Sequence, residues 1–286
     1  MSSNGQSADG NNENARRYLA ELRRRVREGT ADENTPWLDL DVEAYRAYRE
    51  GRTAKFPGPY GHGPITDLMM AGVAGKRVLC LAGGGGQQSA VYSLLGAQVT
   101  VFDLSQEQLE ADQRAAEHYG YTVETIQGNM RDLAALPEKH FDRVYQPLST
   151  LYIPDLTELY PGVARILRPG CTYFSQYLAP LLVLAEYRPW DGTGYELRVT
   201  EPYKRGEMFE TDRNTMSLSE GRAVGEFHHL LSDILNGLIA AGLRIRGVWE
   251  VPRPGSGRPL EELTPGSDAH RKQFLPWGLS VVASAD

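Results

Sequence analysis

The feature that most constrains the fold of this chain is a glycine run that directly follows a short apolar stretch. Residues 77–89 read Arg-Val-Leu-Cys-Leu-Ala-Gly-Gly-Gly-Gly-Gln-Gln-Ser, and residues 98–105 form a second apolar stretch containing Asp103. Consecutive glycines let a backbone approach a ligand closely, and a following helix offers unpaired N–H groups at its start. Asp103 is placed to accept hydrogen bonds from a ribose diol. The sequence therefore predicts a strand–turn–helix–strand unit that binds a nucleoside cofactor.

Beyond this unit, apolar stretches of strand length alternate with helix-like stretches, and short turns separate them. The alternation predicts an α/β fold with a parallel sheet that helices cover on both faces. The predicted strands are 76–82, 97–103, 121–127, 141–146, 171–177, 243–251 and 278–284. The predicted helices that accompany them are 87–95, 105–119, 131–135, 155–167 and 227–241.

The chain is predicted to be a single domain with additions before and within its core. Residues 1–14 are polar and are predicted to be a disordered tail. Residues 15–75 are predicted to form a helical cap, and residues 76–286 the core. An insertion at 178–225, rich in Tyr, Glu and Gly, is predicted to be an irregular lid. The helices predicted in and beside the cap are 14–28, 42–49 and 65–74.

Composition excludes several classes of protein. A net charge of −7 argues against a nucleic-acid partner, because phosphate binding requires a basic surface. The longest apolar run, 178–185, is too short to span a bilayer. Cys80 and Cys171 lie in apolar runs without metal-ligand spacing, so buried thiols are expected. The first residues lack the apolar core of a signal peptide, and a cytoplasmic protein is expected, with its oligomeric state left open.

The glycine spacing does not identify the cofactor by itself. A dinucleotide site requires Gly-x-Gly-x-x-Gly, whose third glycine packs the helix against the strand. Counting from Gly83 or from Gly84, the third glycine position holds Gln88 or Ser89. Neither frame completes the pattern. A nicotinamide-dependent oxidoreductase therefore remains only as an alternative.

The order of several motifs identifies the cofactor more specifically. They are the glycine segment 78–86, the acid-containing stretch 99–105, Gln-Gly-Asn-Met-Arg-Asp-Leu at 127–133, Phe-Asp-Arg-Val-Tyr-Gln-Pro-Leu at 141–148 and Ala-Arg-Ile-Leu-Arg-Pro-Gly at 164–170. In this order they resemble the class I S-adenosylmethionine-dependent methyltransferases, particularly small-molecule enzymes of the ubiquinone/menaquinone-biosynthesis-like group. The resemblance implies a Rossmann-like, seven-stranded, mostly parallel sheet with a C-terminal antiparallel hairpin. It also implies S-adenosyl-L-methionine as methyl donor and S-adenosyl-L-homocysteine as product.

Two positions depart from the family pattern. Cys80 stands where an acidic residue is common, and Ala82 stands where the first glycine is common. The acid normally helps to hold the methionine ammonium, so this contact is expected from another group, such as a backbone carbonyl near Ala82. The departures also leave open a relative that binds the cofactor without catalysing a reaction.

The resemblance implies cofactor-binding residues at the carboxyl ends of the predicted strands. Asp103 is expected to hold the ribose, although the alternative is a cap that starts the following helix. Asn129 is expected either to contact the adenine amino group or to cap its own loop. The complete expected set is Ala82, Gly83, Gly84, Gly85, Gln87, Gln88, Asp103, Leu104, Asn129, Met130 and Gln146.

Methyl transfer from a sulfonium is a direct displacement that depends on placing the acceptor atom in line with the S–CH₃ bond. A general base is needed only where the acceptor must lose a proton. The candidate catalytic residues are His229, His62 and Tyr152, although a surface or core position is the default for a histidine. No metal is expected, because Asp142 and Asp155 are not accompanied by a compact carboxylate cluster.

Aromatic residues outside the predicted parallel strands favour a small, apolar or aromatic acceptor. The alternative is that these side chains only pack the cap and the lid. The residues expected to bind the substrate are Trp37, Tyr45, Tyr60 and Tyr195, together with Tyr177 at the end of the predicted strand 171–177.

Overall fold

The computed structural model describes residues 40–57, 68–179, 185–199, 202–203, 206–210, 225–251, 259–271, 273–274 and 278–286. The helices in this part of the chain are α1 (Val42–Arg49), α2 (Gln87–Leu94), α3 (Gln106–Tyr119), α4 (Leu159–Ile166), α5 (Leu231–Ala240) and α6 (Asp268–Arg271). The strands are β1 (Arg77–Leu81), β2 (Gln98–Asp103), β3 (Val123–Gln127), β4 (Phe141–Gln146), β5 (Leu167–Leu178), β6 (Ala185–Tyr187), β7 (Leu197–Val199), β8 (Met208–Glu210), β9 (Gly225–Phe227), β10 (Leu243–Val251) and β11 (Gly278–Ala285). Short 3₁₀ turns cover Thr150–Tyr152 and Leu260–Glu262.

Seven of the described strands form one sheet in the order β10-β11-β5-β4-β1-β2-β3. Strands β1 to β5 pair in parallel, whereas β11 is antiparallel to β5 and β10 is antiparallel to β11. Every residue of β1 after Arg77 is buried, which is typical of a central strand that is covered on both faces. The predicted Rossmann-like fold with antiparallel C-terminal strands is confirmed.

Helices cover both faces of the sheet. Successive residues of a strand point to opposite faces, so Leu79 and Leu81 pack in one apolar cluster, whereas Val78 and Cys80 pack in the other. The first cluster contains side chains of α4 and α5, and the second contains side chains of α1, α2 and α3. Loops follow the carboxyl ends of the parallel strands. In open α/β sheets, ligands bind at this edge.

Helix α3 has one unusual residue on its buried face. Ser105 caps its start by accepting a hydrogen bond from the N–H of Gln108 at 3.2 Å, and Gly120 ends it with a φ of +70°. The buried positions follow helical spacing and are apolar except for Asp112, which is 0% exposed. A carboxyl group at such a position needs hydrogen-bonding partners, and these lie in the functional site.

The helix predicted at 131–135 is wrong, because the chain forms turns there. The side chain of Asn129 accepts a hydrogen bond from the N–H of Arg131 at 3.0 Å, and that of Asp132 accepts one from Ala134 at 3.0 Å. Such local side-chain bonds compete with helix formation.

Two further helices are shorter than predicted. The helix predicted at 155–167 spans only α4, because β5 begins directly after it. The helix predicted at 227–241 spans only α5, because Phe227 pairs with β8 at the end of strand β9 and residues 228–230 are not helical. The insertion at 178–225 was predicted to be irregular, but its described part contains β6 paired with β7 and β8 paired with β9.

The structure describes only part of the N-terminal region for which helices were predicted. Helix α1 forms where it was predicted, and Asp41 caps it by accepting a hydrogen bond from the N–H of Ala44 at 3.0 Å. Of the helix predicted at 65–74, residues 68–70 are helical and the chain then turns. The predicted tail and the helix predicted at 14–28 lie outside the described residues.

Neither cysteine forms a disulfide, and their burial differs. Cys80 is buried as predicted. Cys171, near the start of β5, is only partly buried. Within the described ranges, no helix combines the length and the apolar character needed to cross a membrane.

Candidate functional site

The glycine loop, residues 82–86, connects β1 to α2 at the carboxyl edge of the sheet. Ala82 adopts a φ of +47°, and its N–H donates to the carbonyl of Phe102 at 2.7 Å. A Cβ added to Gly84 would lie 2.7 Å from the Cβ of Gln108 and 3.1 Å from Oδ2 of Asp103. The loop therefore passes too close to β2 and α3 for any residue larger than glycine at position 84.

Asp103 ends β2 beside this loop. Its Oδ2 accepts a hydrogen bond from the N–H of Gly84 at 3.0 Å, and its Oδ1 accepts one from the N–H of Ser105 at 2.9 Å. Burial raises the pKa of the carboxyl group, and the backbone bonds oppose that shift. The N-cap of α3 is Ser105 rather than Asp103. Each carboxylate oxygen retains a second lone pair for a ligand.

Asp112 of α3 holds the glycine loop by accepting its backbone N–H groups. The sequence analysis did not predict this role. Its Oδ2 accepts from the N–H of Gly85 at 3.0 Å, and its Oδ1 accepts from the N–H of Gly86 at 3.1 Å and from Oγ of Ser89 at 2.5 Å. Burial raises the pKa of Asp112 to about 7, and these hydrogen bonds oppose the shift. The signal available in the sequence was a lone carboxylate on the apolar face of a predicted helix.

Helix α2 begins directly after the glycine loop. Its N-cap is Gly86, with a φ of +92°, and no described side chain caps the first turn. Gln87 and Gln88 form that turn and are partly buried. The N–H groups of an uncapped first turn are suited to a negatively charged ligand group.

Two of the expected cofactor-binding residues, Asn129 and Gln146, lie after β3 and at the end of β4. The Oδ1 of Asn129 accepts a hydrogen bond from the N–H of Arg131. Asn129 therefore caps its own loop, as one of its two predicted roles required. Gln146 is 0% exposed, and its Nε2 donates to Sδ of Met130 at 3.3 Å and to Oγ of Ser149 at 3.1 Å. The hydroxyl of Tyr173 donates to Oε1 of the same glutamine. Gln146 thus lies beneath the surface and holds Met130.

Leu104 follows Asp103, and its carbonyl accepts a hydrogen bond from Nε2 of Gln127 at 3.1 Å. This bond ties the end of β2 to the end of β3. Leu104 is partly buried.

A small open cleft lies beside the end of β5, and we name it the β5 cleft. The space within it, open solvent included, is about 270 Å³, and its lining consists of Thr150, Leu151, Tyr177, Leu178 and residues 227–229. It brings together two of the predicted site residues, Tyr177 and His229.

The chain that leaves β4 connects the glycine loop to the β5 cleft. A Cβ added to Gly83 would lie 3.1 Å from Cδ of Pro147, so Pro147 stands directly against the glycine loop. Thr150 and Leu151, a few residues later, line the β5 cleft. Tyr152 ends the same 3₁₀ turn and is partly buried, but it is not among the residues that line the cleft.

His229 has a fixed ring orientation. Its Nε2 lies 3.0 Å from the carbonyl oxygen of Thr150, and because a carbonyl only accepts, Nε2 must carry a proton. Burial lowers the pKa of His229, which favours the neutral ring. In the neutral ring Nδ1 is then the acceptor nitrogen.

Tyr177 is 2% exposed, although it borders the β5 cleft. Its hydroxyl lies 2.9 Å from the hydroxyl of Tyr160 and 2.7 Å from Oγ of Ser175. Burial raises the pKa of this phenol, so it stays protonated.

Other predicted substrate residues lie elsewhere. Tyr45 is 1% exposed and packs edge-on against Phe56 in the core cluster beneath α1, so the structure does not place it at the β5 cleft. Tyr195 donates to or accepts from Nδ1 of His270 at 2.9 Å, in an aromatic cluster that joins the β6–β7 hairpin to the segment after β10. Trp37, Tyr60 and His62 lie outside the described residues.

Comparisons with known proteins agree with this geometry. A sequence profile described as a methyltransferase domain matches residues 79–175. The uncharacterized methyltransferase YbaJ of Bacillus subtilis (strain 168) is 31% identical over 178 residues, which cover 62% of this chain and 69% of that protein.

Two further similarities are more limited. The ubiquinone biosynthesis O-methyltransferase of Xanthomonas euvesicatoria pv. vesicatoria (strain 85-10) is 34% identical over 102 residues, covering 36% of this chain and 43% of that enzyme. The chain thus matches less than half the length of that relative. An S-adenosylmethionine dependent methyltransferase from Mesorhizobium loti has a similar fold, with a TM-score of 0.61 at 22% identity, covering 77% of this chain and 96% of that one.

Proposed function

Since the chain belongs to the class I S-adenosylmethionine-dependent methyltransferases, we propose that it transfers the methyl group to a small molecule held in the β5 cleft. The observation that carries this proposal is the glycine loop, which runs close against Asp103 and lies beside Pro147. The chain that leaves β4 borders both positions, so the donor methyl group and the acceptor would meet along it.

Asp103 is proposed to hold the ribose diol of the donor. Its carboxylate is already oriented by two backbone N–H groups, so little side-chain freedom is lost when a ligand binds. Gly83, Gly84 and Gly85 are proposed to contact the donor through their backbone, because their missing side chains let the loop lie close against the neighbouring protein. Ala82 is proposed to offer its backbone to the donor ammonium. The residues present therefore fit the donor.

The remaining donor contacts are proposed from neighbouring loops. The first turn of α2, with Gln87 and Gln88, is suited to the donor carboxylate. Leu104 and Met130 are proposed to pack against the adenine ring. Asn129 is proposed to use the second lone pair of its Oδ1 for the adenine amino group, since the first accepts Arg131. Gln146 is proposed to act indirectly, by holding Met130.

The acceptor is proposed to be apolar or aromatic, since leucine, phenylalanine and tyrosine side chains make up most of the β5 cleft. Neutral His229, held by Thr150, is proposed to position it. Trp37, Tyr60 and His62 remain predicted contacts, and the residues 15–75 and 178–225 remain the predicted cap and lid. The negative net charge supports a small-molecule acceptor over a nucleic acid, and free thiols support a cytoplasmic location.

When bound, the donor supplies an activated methyl group for direct displacement. The chain's own contribution is to hold the acceptor in line, which is worth roughly 7–11 kcal/mol of the barrier in favourable cases. The cap and lid are proposed to exclude water once both ligands are bound.

A labelling experiment tests this function. The protein is incubated with S-adenosylmethionine carrying ¹³C in its methyl group, together with separate pools of small phenols, amines and thiols. Transfer of the label with formation of S-adenosylhomocysteine is expected. Donor binding without transfer to any pool would favour the non-catalytic relative, and binding of NADH instead would favour the oxidoreductase.

A further inference from the structure

Three consecutive glycines of the glycine loop donate their N–H groups to carboxylates of the protein itself. Gly84 donates to Oδ2 of Asp103 at 3.0 Å. Gly85 donates to Oδ2 of Asp112 at 3.0 Å, and Gly86 donates to Oδ1 of the same side chain at 3.1 Å. Glycine loops that bind phosphate groups do so with successive N–H groups of this kind. Because these three are already bonded within the protein, the loop is not built to hold a phosphate.

The hydrogen-bond partners that the structure describes for Asp112 are all neutral. They are two backbone N–H groups and the hydroxyl of Ser89, and the side chain is 0% exposed. The titratable side chains that face it are Asp103 of β2, Cys80 of β1 and Tyr121 after α3. None of them carries a positive charge. When Asp112 is ionised, it therefore adds an uncompensated negative charge to that of Asp103.

A ligand that contacts the glycine loop lies close to this charge. The Asp112 oxygens are 3.0 Å and 3.1 Å from the nitrogens of Gly85 and Gly86. Ligand atoms in contact with the loop lie within about 4 Å of its backbone. Because Asp112 is buried, bulk water does not surround it and screens its charge less than at the surface. A positive charge on the ligand is therefore stabilised, and a negative charge is destabilised.

The methyl donor and its product differ in charge at a single atom. S-adenosylmethionine carries a sulfonium, whereas S-adenosylhomocysteine carries a neutral thioether. The two share their adenine, ribose, ammonium and carboxylate groups. Contacts with these shared groups, including that of Asp103 with the ribose, cancel when the two affinities are compared. Attraction between Asp112 and the sulfonium does not cancel, so it appears in the ratio of the affinities.

We propose that Asp112 makes the donor site selective for positive charge, so that the site holds the sulfonium donor more tightly than the neutral product; this inference rests on the proposed function. In the transfer, the acceptor atom supplies the electron pair of the new bond to the methyl carbon, and the electron pair of the broken carbon–sulfur bond stays on sulfur. The positive charge passes to the acceptor, which releases it as a proton where it carries one. The attraction by Asp112 is then lost, which favours release of the product.

The first test compares the affinities of S-adenosylmethionine and S-adenosylhomocysteine by calorimetric titration at pH 8, without an acceptor. Asp112→Asn keeps the size of the side chain and removes its charge. It is expected to lower the ratio of donor affinity to product affinity about tenfold, the effect of a unit charge about 10 Å away in a protein interior. Glu117→Gln, which removes a charge from the exposed face of the same helix, should keep the wild-type ratio.

This ratio distinguishes a role in specificity from a structural one. A glycine loop that is merely displaced in Asp112→Asn would bind both ligands more weakly and leave their ratio unchanged. An unchanged ratio would therefore overturn the inference. Wild-type protein in which the donor does not bind more tightly than the product at pH 8 would also overturn it.

A second test uses the pH dependence of the wild-type protein. Burial raises the pKa of Asp112 to about 7, so its carboxyl group is mostly neutral at pH 6 and mostly ionised at pH 8. The preference for the donor should rise severalfold between these two pH values in wild-type protein and stay constant in Asp112→Asn. A wild-type preference that does not change with pH would overturn the inference, even if the asparagine variant did not fold.

Adenosine diphosphate tests the N–H groups of the glycine loop directly. It shares the adenosine group of the donor but carries phosphate in place of the sulfonium. It is expected not to displace S-adenosylhomocysteine from wild-type protein. Displacement at similar concentrations would show that the loop accepts phosphate, and would overturn the inference.

The same titrations separate failure of the inference from failure of the proposed function. Wild-type protein that binds both sulfur ligands with equal affinity would overturn the role of Asp112 and leave the methyltransferase proposal intact. Folded wild-type protein that binds neither ligand would overturn both.

Discussion

Asp103 combines a structural and a proposed binding role at the end of β2. It orients the glycine loop through Gly84 and is proposed to hold the donor ribose. Asp142 offers a matched comparison at the opposite edge of the sheet, where it accepts the N–H of Arg77 at 2.8 Å and forms an ion pair with Arg168 at 2.9 Å. Both aspartates have two partners, but only Asp103 lies at the proposed site.

Asp103→Ala is therefore expected to weaken binding of S-adenosylhomocysteine by about 1–3 kcal/mol, because two ribose hydroxyls lose their acceptor. Asp142→Ala should reduce the free energy of unfolding without changing this affinity. Calorimetric titration of the folded variants measures both. An Asp103→Ala affinity equal to that of wild type would show that Asp103 does not hold the ligand.

Asp112 should make stability depend on pH. Its pKa is about 7 in the folded protein and about 3.9 in an unfolded chain. Between these values the folded state binds a proton that the unfolded state lacks, so stability falls as the pH rises from about 4 to about 7. Above about pH 7 the carboxyl group is ionised in both states, so its contribution to stability no longer changes with pH.

Asp112→Asn is expected to lose less stability than wild type between pH 5 and pH 8, by an amount on the order of a few kcal/mol. Urea unfolding at the two pH values measures the difference. Glu117→Gln, on the exposed face of the same helix, should keep the wild-type slope. An unchanged slope in Asp112→Asn would mean that Asp112 is not protonated at pH 5.

At the scale of elements, the close approach of the glycine loop to α3 is the feature most sensitive to substitution. Gly84→Ala is expected to destabilise the protein by about 1–3 kcal/mol and to abolish binding of S-adenosylhomocysteine, because its Cβ would meet Gln108 and Asp103. Gly194→Ala is the control, since a Cβ there meets nothing within 4 Å. Thermal unfolding and calorimetry together report the outcome. Gly84→Ala protein with wild-type affinity would refute the close approach.

The β6–β7 hairpin is held to the rest of the protein by aromatic contacts. Tyr195 bonds to His270 and packs against Trp190 and Phe274. Tyr195→Phe removes only the hydrogen bond, worth about 0.5–1.5 kcal/mol, and should speed amide exchange in the hairpin by up to about tenfold. Val199→Ala, at an exposed position on β7, should leave exchange unchanged. Exchange in Tyr195→Phe as slow as in wild type would mean that this bond does not hold the hairpin.

Strands were easier to predict than the elements around the site. The strands 77–81 and 98–103 were located to within a residue, because long apolar runs end at glycine or aspartate. The turn at 129–134 was mistaken for a helix, since whether Asn and Asp bond to their own backbone depends on loop geometry. The start of α5 was also misplaced, because pairing with the distant β8 overrides local preference.

The same reasons explain what could be predicted of the site. Asp103 and the glycine loop are adjacent in a local motif, so sequence alone located them. Asp112 was recognisable as a polar residue on an apolar helix face. The β5 cleft was not predictable, because Thr150, Tyr177 and residues 227–229 meet only through the sheet order.

For the molecule as a whole, two ligand positions are proposed along one edge of the sheet. The glycine loop and the β5 cleft are both bordered by the chain that leaves β4, from Pro147 to Leu151. In the proposed reaction the donor methyl group and the acceptor atom meet along this segment. Methyl transfer then requires the glycine loop to bind the donor.

Calorimetric titration of wild-type protein with S-adenosylhomocysteine, with NADH as control, tests this claim most directly. The account predicts saturable binding of S-adenosylhomocysteine, with about micromolar affinity at one site per chain, and no heat from NADH. A folded sample that gives no heat with S-adenosylhomocysteine would contradict the assignment of the glycine loop as the donor site.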